Sequence, residues 1–384
     1  MDRADDLSTA AREALPGGNT RTSLFVPPSP PYAVTGGGCA VTDTDGHQVI
    51  DCNNNFTSLI HGHASTVVME AVAATVTRGS AFGLPTPLEV EFAQELRSRV
   101  PSAGRWRFTN SGTEAVMMAL RLARAATGRD LILRFAGSYH GSSDTVTDPD
   151  QPGVSPGAAA ESVTVPVADE AAFVEAIERY GDRLACVLLD LMPNRAGLRP
   201  VPHDFAQLVA ERARAAGALL VLDEVITFRV EVGGLQQRYG LTPDLTVLAK
   251  IVGGGFPVGA VGGREEVMDL FDPRRSRCIS WGGTFNANPV TMAAGLAALR
   301  AYQHEEVARL NELGDGLRDM LKKAGMDVTG AGSLLRVHAD EPPEFWWRLY
   351  RSGVLVAPNG LMSLSTPMTD EVIDHVYGIV TANA

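Results

Sequence analysis

The sequence has 384 residues, with 33 Lys and Arg against 45 Asp and Glu, a formal net charge of −12 and a pI near 5.2. That balance argues against a sequence-independent grip on nucleic-acid phosphates or on an anionic membrane surface, and 45% hydrophobic with 20% charged residues argues against a disordered chain. At about 150 residues per domain the length suggests two domains.

No apolar run of signal-peptide length precedes Arg12, so no targeting segment is expected, and no stretch reaches the ~18 apolar residues of a spanning helix. Four scattered cysteines (Cys39, Cys52, Cys186, Cys278) show no framework or C-x-x-C spacing, which reads as a reduced, cytoplasmic protein. The compositional oddity is glycine: 39 residues, about a tenth of the chain, against a usual ~7%.

In chain order, a Pro-rich turn at 26–31 is followed by helical patterns at 66–78 and 88–99. Short apolar runs then alternate with further helices. Strands are predicted over 106–109, 131–135, 184–190, 218–223 and 245–249, and helices over 113–126, 170–180 and 204–216. The strand runs alternate little between apolar and polar, as expected of strands covered on both faces. Such alternation of strand and helix predicts an α/β fold with a mostly parallel sheet flanked by helices. Beyond Asn286 the spacing predicts helices over 290–302 and 305–324. A mixed tail follows, with strands at 333–338 and 354–357, a helix at 344–351 and a last helix from Asp370. This reads as a large domain over 46–301, with a smaller α+β domain formed by 1–45 and 302–384.

Four segments at strand ends carry candidate chemistry, where sites in open α/β sheets gather. Ser111-Gly112-Thr113 precedes a helix and offers hydroxyls and backbone N–H groups to a phosphate, or merely caps that helix. Asp223 ends an apolar strand, where a carboxylate needs a cationic partner or else belongs to a solvated loop. Lys250 closes the next apolar run; burial would lower its amine towards a Schiff-base former, and the alternative is a surface lysine. Thr284, in Gly282-Gly283-Thr284, again sets a hydroxyl before a helix, as a phosphate contact or a tight turn. Taken together, an amine, a carboxylate and two small-residue phosphate cradles are what pyridoxal 5′-phosphate requires.

On these residues the chain resembles a class III aminotransferase of fold type I, in the branch of glutamate-1-semialdehyde aminomutase and the β-amino-acid aminotransferases. The resemblance rests on Leu15-Pro16-Gly17-Gly18-Asn19-Thr20-Arg21, His61-Gly62-His63-Ala64, Ser111-Gly112-Thr113-Glu114-Ala115, Tyr139-His140-Gly141, Asp223-Glu224-Val225, Lys250 with the run 253–259, and Gly282-Gly283-Thr284-Phe285. It covers nearly the whole chain.

The resemblance implies that Lys250 carries the Schiff base and moves the proton, while Asp223 pairs with the pyridinium nitrogen. It further implies that Val225 packs on one ring face, that Tyr139 stacks on the other with His140 close by, and that Ser111, Gly112 and Thr113 bind the phosphate. Thr284 would reach the phosphate of a neighbouring subunit, which implies a homodimer with shared active sites. Arg21 resembles the arginine that binds the substrate carboxylate, and an arginine fork suits that task. Its alternative is a surface arginine in an N-terminal loop.

Three departures from the family pattern stand out. Asp190 replaces the more frequent Glu, Ala249 precedes the lysine where Gly is common, and the segment 339–343 is short. Arg336 lies on an apolar strand of the small domain, as a second anion contact or an edge-strand charge. The pair His61-x-His63 lacks further ligands at suitable spacing, so no metal is expected.

The implied activity is transfer of an amino group between an α- or β-amino acid and a keto acid. An intramolecular aminomutase is the alternative, and an epimerase or decarboxylase a smaller one. A nicotinamide-binding reading of 253–259 fails: the run lacks G-x-G-x-x-G spacing, and Pro257 would interrupt the helix. The glycine pairs and triplets at 17–18, 36–38, 233–234, 253–255, 262–263 and 282–283, together with Gly112, are expected in turns, several bordering the cofactor site.

Overall fold

Apolar runs without alternation become covered strands. Leu184–Leu189 and Leu245–Ala249 are buried at every position in the computed structural model, which describes residues 3–384. Met1 and Asp2 of the expected first segment lie outside the described residues. The chain divides into two units, Val67–Val307 and the residues up to Thr66 together with Ala308–Ala384. The division falls after residues 66 and 307, later on both sides than the boundaries read from the sequence.

The chain up to Thr66 supplies β1 (Ala33–Gly37), β2 (Ala40–Asp43) and β3 (Gln48–Asp51). Between Val67 and Val307 run β4 (Arg105–Thr109), β5 (Leu131–Phe135), β6 (Ser162–Val165), β7 (Leu184–Leu189), β8 (Leu219–Asp223), β9 (Leu245–Ala249) and β10 (Gly259–Gly263). The last unit-forming stretch adds β11 (Val328–Ala331), β12 (Leu334–Val337), β13 (Val354–Leu355) and β14 (Leu361–Ser363).

The larger unit holds a seven-stranded sheet in the order β4-β10-β9-β8-β7-β5-β6. The run from β9 to β6 is parallel, and β10 is antiparallel to both β9 and β4. Helices Gly112–Thr127, Glu170–Tyr180, His203–Ala215 and Pro289–Ala301 lie close to the predicted spans. The helix Gly112–Thr127 buries Ala115, Met118, Ala119, Leu122 and Ala123 in one cluster with Val221, Val247 and Val261 of the sheet. Each large buried aliphatic side chain contributes about 1.5–3 kcal/mol.

Strand β10 corrects the sequence reading, which put Gly262 and Gly263 in a turn. A Cβ at Gly262 would sit 2.5 Å from the Trp106 ring across the ladder, and one at Gly259 would collide with the Ser111 carbonyl. The glycines therefore let β10 pass close to its neighbours. Gly36 and Gly37 likewise lie in β1, where a Cβ at Gly36 would meet the His63 ring at 2.7 Å.

In the other unit, β1-β2-β3-β13 form one sheet, with β13 parallel to β3, and β11-β12-β14 form an antiparallel one. The helix Pro342–Arg351 buries Phe345, Trp346, Leu349 and Tyr350; Tyr350 donates to Asp43 Oδ2 at 2.6 Å. No helix among the described residues is long and apolar enough to cross a membrane.

Candidate active site

The phosphate-type cradle is built where β4 hands over to the helix Gly112–Thr127. Ser111 is the extended N-cap residue, and its Oγ accepts from the Glu114 N–H at 3.2 Å. Capping and anion binding are compatible here, because a hydroxyl that accepts one bond still has its own proton to donate. The first-turn N–H groups of Gly112 and Thr113 lack intrahelical acceptors and lie at the positive end of the helix dipole. Glu114 accepts from the Asn110 N–H at 2.6 Å and ties the loop down.

Small residues let the other segments close around this turn. A Cβ on Gly112 would stand 3.3 Å from both Val225 and Ala249, and one on Gly141 (φ +104°) would stand 2.6 Å from Thr113 Oγ1. Segments far apart in sequence, around 112, 140, 225 and 249, thus meet in one place.

The floor lies at the carboxyl ends of β7, β8 and β9. Asp223 ends β8, is 5% exposed, and holds His140 Nδ1 at 2.6 Å through Oδ2 while Oδ1 accepts from the Val225 N–H at 3.0 Å. His140 is buried, and among the described residues its Nε2 has no hydrogen-bond partner. Asp190, one residue past β7, is equally buried and accepts from the Met192 N–H at 2.9 Å. Burial and the neighbouring Asp223 carboxylate push its carboxyl upward, opposed by His140 and Lys250.

Lys250 follows β9 directly, half-buried and left-handed at φ +55°. Desolvation lowers its amine, and the carboxylates of Asp223 and Asp190 push it back up. An amine so placed reaches its neutral, nucleophilic form more readily than a solvated lysine. A strained backbone of this kind costs of order 1–3 kcal/mol and persists where the surroundings fix it.

Glu224 was not singled out from the sequence. It is fully buried and accepts from the N–H groups of Leu235 (3.0 Å) and Gln236 (2.6 Å) and from the Thr227 hydroxyl. Burial, the largest influence, raises its carboxyl to about 7. It anchors the turn beyond β8 and has no bond to the cradle.

Tyr139 is half-exposed, its hydroxyl 3.3 Å from Ser142 Oγ. The Arg195 guanidinium stands 4.3 Å from its ring centroid, a contact with no signal in the sequence. Thr284 is exposed on a loop tied to the cradle by the Asn110 amide, which donates to Asn286 Oδ1 at 2.8 Å. It lines a cleft of ≈ 280 Å³ with Phe82, Leu84, Thr86, Glu89 and Asn286.

Arg21 belongs to the other unit. It is exposed, donates to Asn55 Oδ1 at 2.7 Å and lies 5.7 Å from the Phe56 ring centroid. Its anchors sit on a left-handed turn, Asn54 to Thr57, with φ between 49° and 73°. Asn54 braces that turn by donating to the Ser363 carbonyl at 2.7 Å. Arg336 uses its Nε on the Asn359 carbonyl at 2.9 Å, and burial lowers its guanidinium. His61 contacts Thr366 Oγ1 at 3.0 Å and His63 contacts Asp51 Oδ2 at 2.7 Å. Among the described residues no group of three or more His, Cys, Asp or Glu is placed for a metal ion.

The donor set fits pyridoxal phosphate: a cradle that a Cβ at position 112 would fill, a strand-end amine, a buried carboxylate with lone pairs to spare, and a buried imidazole nitrogen left without a partner.

A family model described as Aminotransferase class-III matches residues 27–381. The chain is 39% identical to glutamate-1-semialdehyde 2,1-aminomutase of Akkermansia muciniphila, over 99% of this chain and 98% of that protein. Among solved structures it is similar to an omega-transaminase from Sphaerobacter thermophilus (41% identity, TM-score 0.96, 100% and 97% of the two chains). It is also similar to a β-phenylalanine aminotransferase from Variovorax paradoxus (34%, TM-score 0.93, 99% and 93%). The chain belongs to the class III aminotransferase family, an enzyme family of fold type I, and pyridoxal 5′-phosphate is its cofactor.

Proposed function

From this membership we propose that the enzyme is an aminotransferase moving an amino group between an α- or β-amino acid and a keto acid. The observation that carries the reading is the strand-end floor: a half-buried Lys250 amine lowered by desolvation, beside the buried Asp223–His140 pair. When bound, the cofactor supplies an electron sink that stabilises negative charge developing at the substrate carbon. Asp223, its orientation fixed by His140 and the Val225 N–H, would pair with the cofactor's ring nitrogen and favour its protonated form. Lys250 would take the substrate Cα proton, its desolvated amine serving as the general base. Tyr139 and Val225 would pack against the cofactor ring, and Ser111, Gly112 and Thr113 would hold its phosphate. Arg21 binds the donor's carboxylate through its guanidinium fork.

Two further elements belong to this reading. The exposed Thr284, on a loop beside Phe82, Leu84 and Phe285, reaches the phosphate of a second copy, so the working enzyme is a homodimer. The four unpaired cysteines suit a reducing, cytoplasmic setting.

The aminomutase reading is favoured by the shared name of several relatives, among them that of Akkermansia muciniphila. Arg21 weighs the other way, since a carboxylate-binding arginine serves amino-acid donors. Holoenzyme incubated with α- and β-amino acids and no acceptor separates the two. Stoichiometric release of a keto product supports transamination. Catalytic formation of an isomer of the substrate would defeat it in favour of the mutase.

A further inference from the structure

The segment 190–198 brings two features to the site, and only Asp190 was visible in the sequence. After Pro193 the chain makes a short turn, Asn194–Ala196, closed by Gly197 at φ +90°. This turn is docked on the loop that carries Tyr139. A Cβ at Gly137 (φ +76°) would lie 2.6 Å from Ala196 Cβ and 2.9 Å from the Ala196 nitrogen, so the two backbones touch where only glycine fits. The docking delivers Arg195 onto one face of the Tyr139 ring, 4.3 Å from its centroid. Among the described residues no carboxylate pairs with Arg195. The guanidinium is therefore committed to the ring.

We propose that Arg195 is a positioning residue: it covers the outer face of Tyr139 and holds the ring in the orientation that leaves its other face for the cofactor. This rests on the reading of Tyr139 as the ring that stacks on the cofactor. Tyr139 needs such a brace. It is 48% exposed, and among the described residues its hydroxyl has only Ser142, at 3.3 Å, so little else fixes its plane. A guanidinium is flat and weakly hydrated, which suits it to stack on an aromatic face while its N–H groups stay in water.

The test titrates cofactor-free full-length protein with pyridoxal 5′-phosphate. The dissociation constant is read from tryptophan quenching, and the ring's orientation from visible-region circular dichroism of the bound cofactor. Arg195→Met is expected to weaken binding about 2- to 5-fold, the equivalent of an exposed cation–π contact, and to reduce the dichroism. Arg195→Lys should keep most of both. In a Tyr139→Leu background, Arg195→Met should change neither quantity, because the arginine acts through the ring. Equal effects of Arg195→Met in both backgrounds would overturn the proposal and make the arginine a direct contact of the anion. No effect in either background would overturn it outright. Should Tyr139→Leu alone leave binding and dichroism at wild-type values, the placing of Tyr139 fails first. That failure is read from the single variant.

Discussion

The strand-end floor and the Arg21 turn solve opposite problems. Asp223 and Lys250 sit at the ends of parallel strands whose ladders fix the backbone, and desolvation there lowers the Lys250 amine. Arg21 sits exposed on a short turn; among the described residues its side chain has one hydrogen bond and one ring for support, and those anchors lie within four consecutive left-handed residues. On the proposed reading, the chemistry would lie on rigid, desolvated backbone and substrate recognition on a loop, the usual division between scaffold and connecting segments. The strain differs accordingly. At Lys250 it falls on a single residue at a strand end, and at Asn54 to Thr57 it spans four residues braced by Ser363.

The largest effect should come from the floor. Lys250→Ala should lower amino-group exchange by at least about 10²–10⁴-fold, the usual worth of a positioned acid–base group, measured by single-turnover release of keto product. A loss of under tenfold would place the proton transfer elsewhere. His140→Ala should follow, stranding the Asp223 carboxylate in a buried site. Leaving a buried acceptor without its hydrogen-bond partner in this way costs about 1–3 kcal/mol, read from urea unfolding of the cofactor-free protein.

On the loop side, Arg21→Ala should raise KM for carboxylate-bearing donors about 10- to 100-fold, as expected for loss of a charge-assisted hydrogen bond. Its kcat should hold, and amines without a carboxylate should be unaffected. A uniform loss across both substrate types would make Arg21 a structural residue.

pH sharpens the contrast. Glu224 has a folded value of about 7 against an ordinary 4.5, so the native state holds a proton the unfolded chain has lost between those values. Its contribution to stability is full below pH 4.5 and falls as pH rises to 7, by about 1.4 kcal/mol per pH unit for one such group. Glu224→Gln should flatten that fall in a urea series, and Asp190→Asn should act in the same direction. The smallest effect should come from Asn55→Gly. It relieves one left-handed residue, for a gain of about 0.5–1 kcal/mol, while removing the Arg21 anchor and raising KM for the same donors.

Much of this was legible before the fold was known. β5, β7, β8 and β9 announce themselves as apolar runs, because strands buried on both faces need no alternation. Asp223 and Lys250 stand out as charges closing such runs. β10 was illegible because Gly-Ala-Val-Gly-Gly reads as a turn, and its reason for being glycine lies across the ladder in Trp106. Edge strand β6, four residues long, carried too little pattern. Glu224 was hidden by its more obvious neighbour. Arg195 left no trace, since its partner Tyr139 lies far away in sequence and the contact depends on Gly137 meeting Ala196.

By itself the sequence determined the layered α/β plan, the strand-end amine and carboxylate, and the small residues of the turn that opens the helix Gly112–Thr127. These follow from local pattern: hydrophobic periodicity, and the few residue types able to perform the chemistry. Tertiary structure alone decided that His140 binds Asp223, that Asp190 is pushed upward beside it, and that Arg195 covers Tyr139. Those outcomes depend on burial and on distances between segments far apart in the chain, which only packing sets.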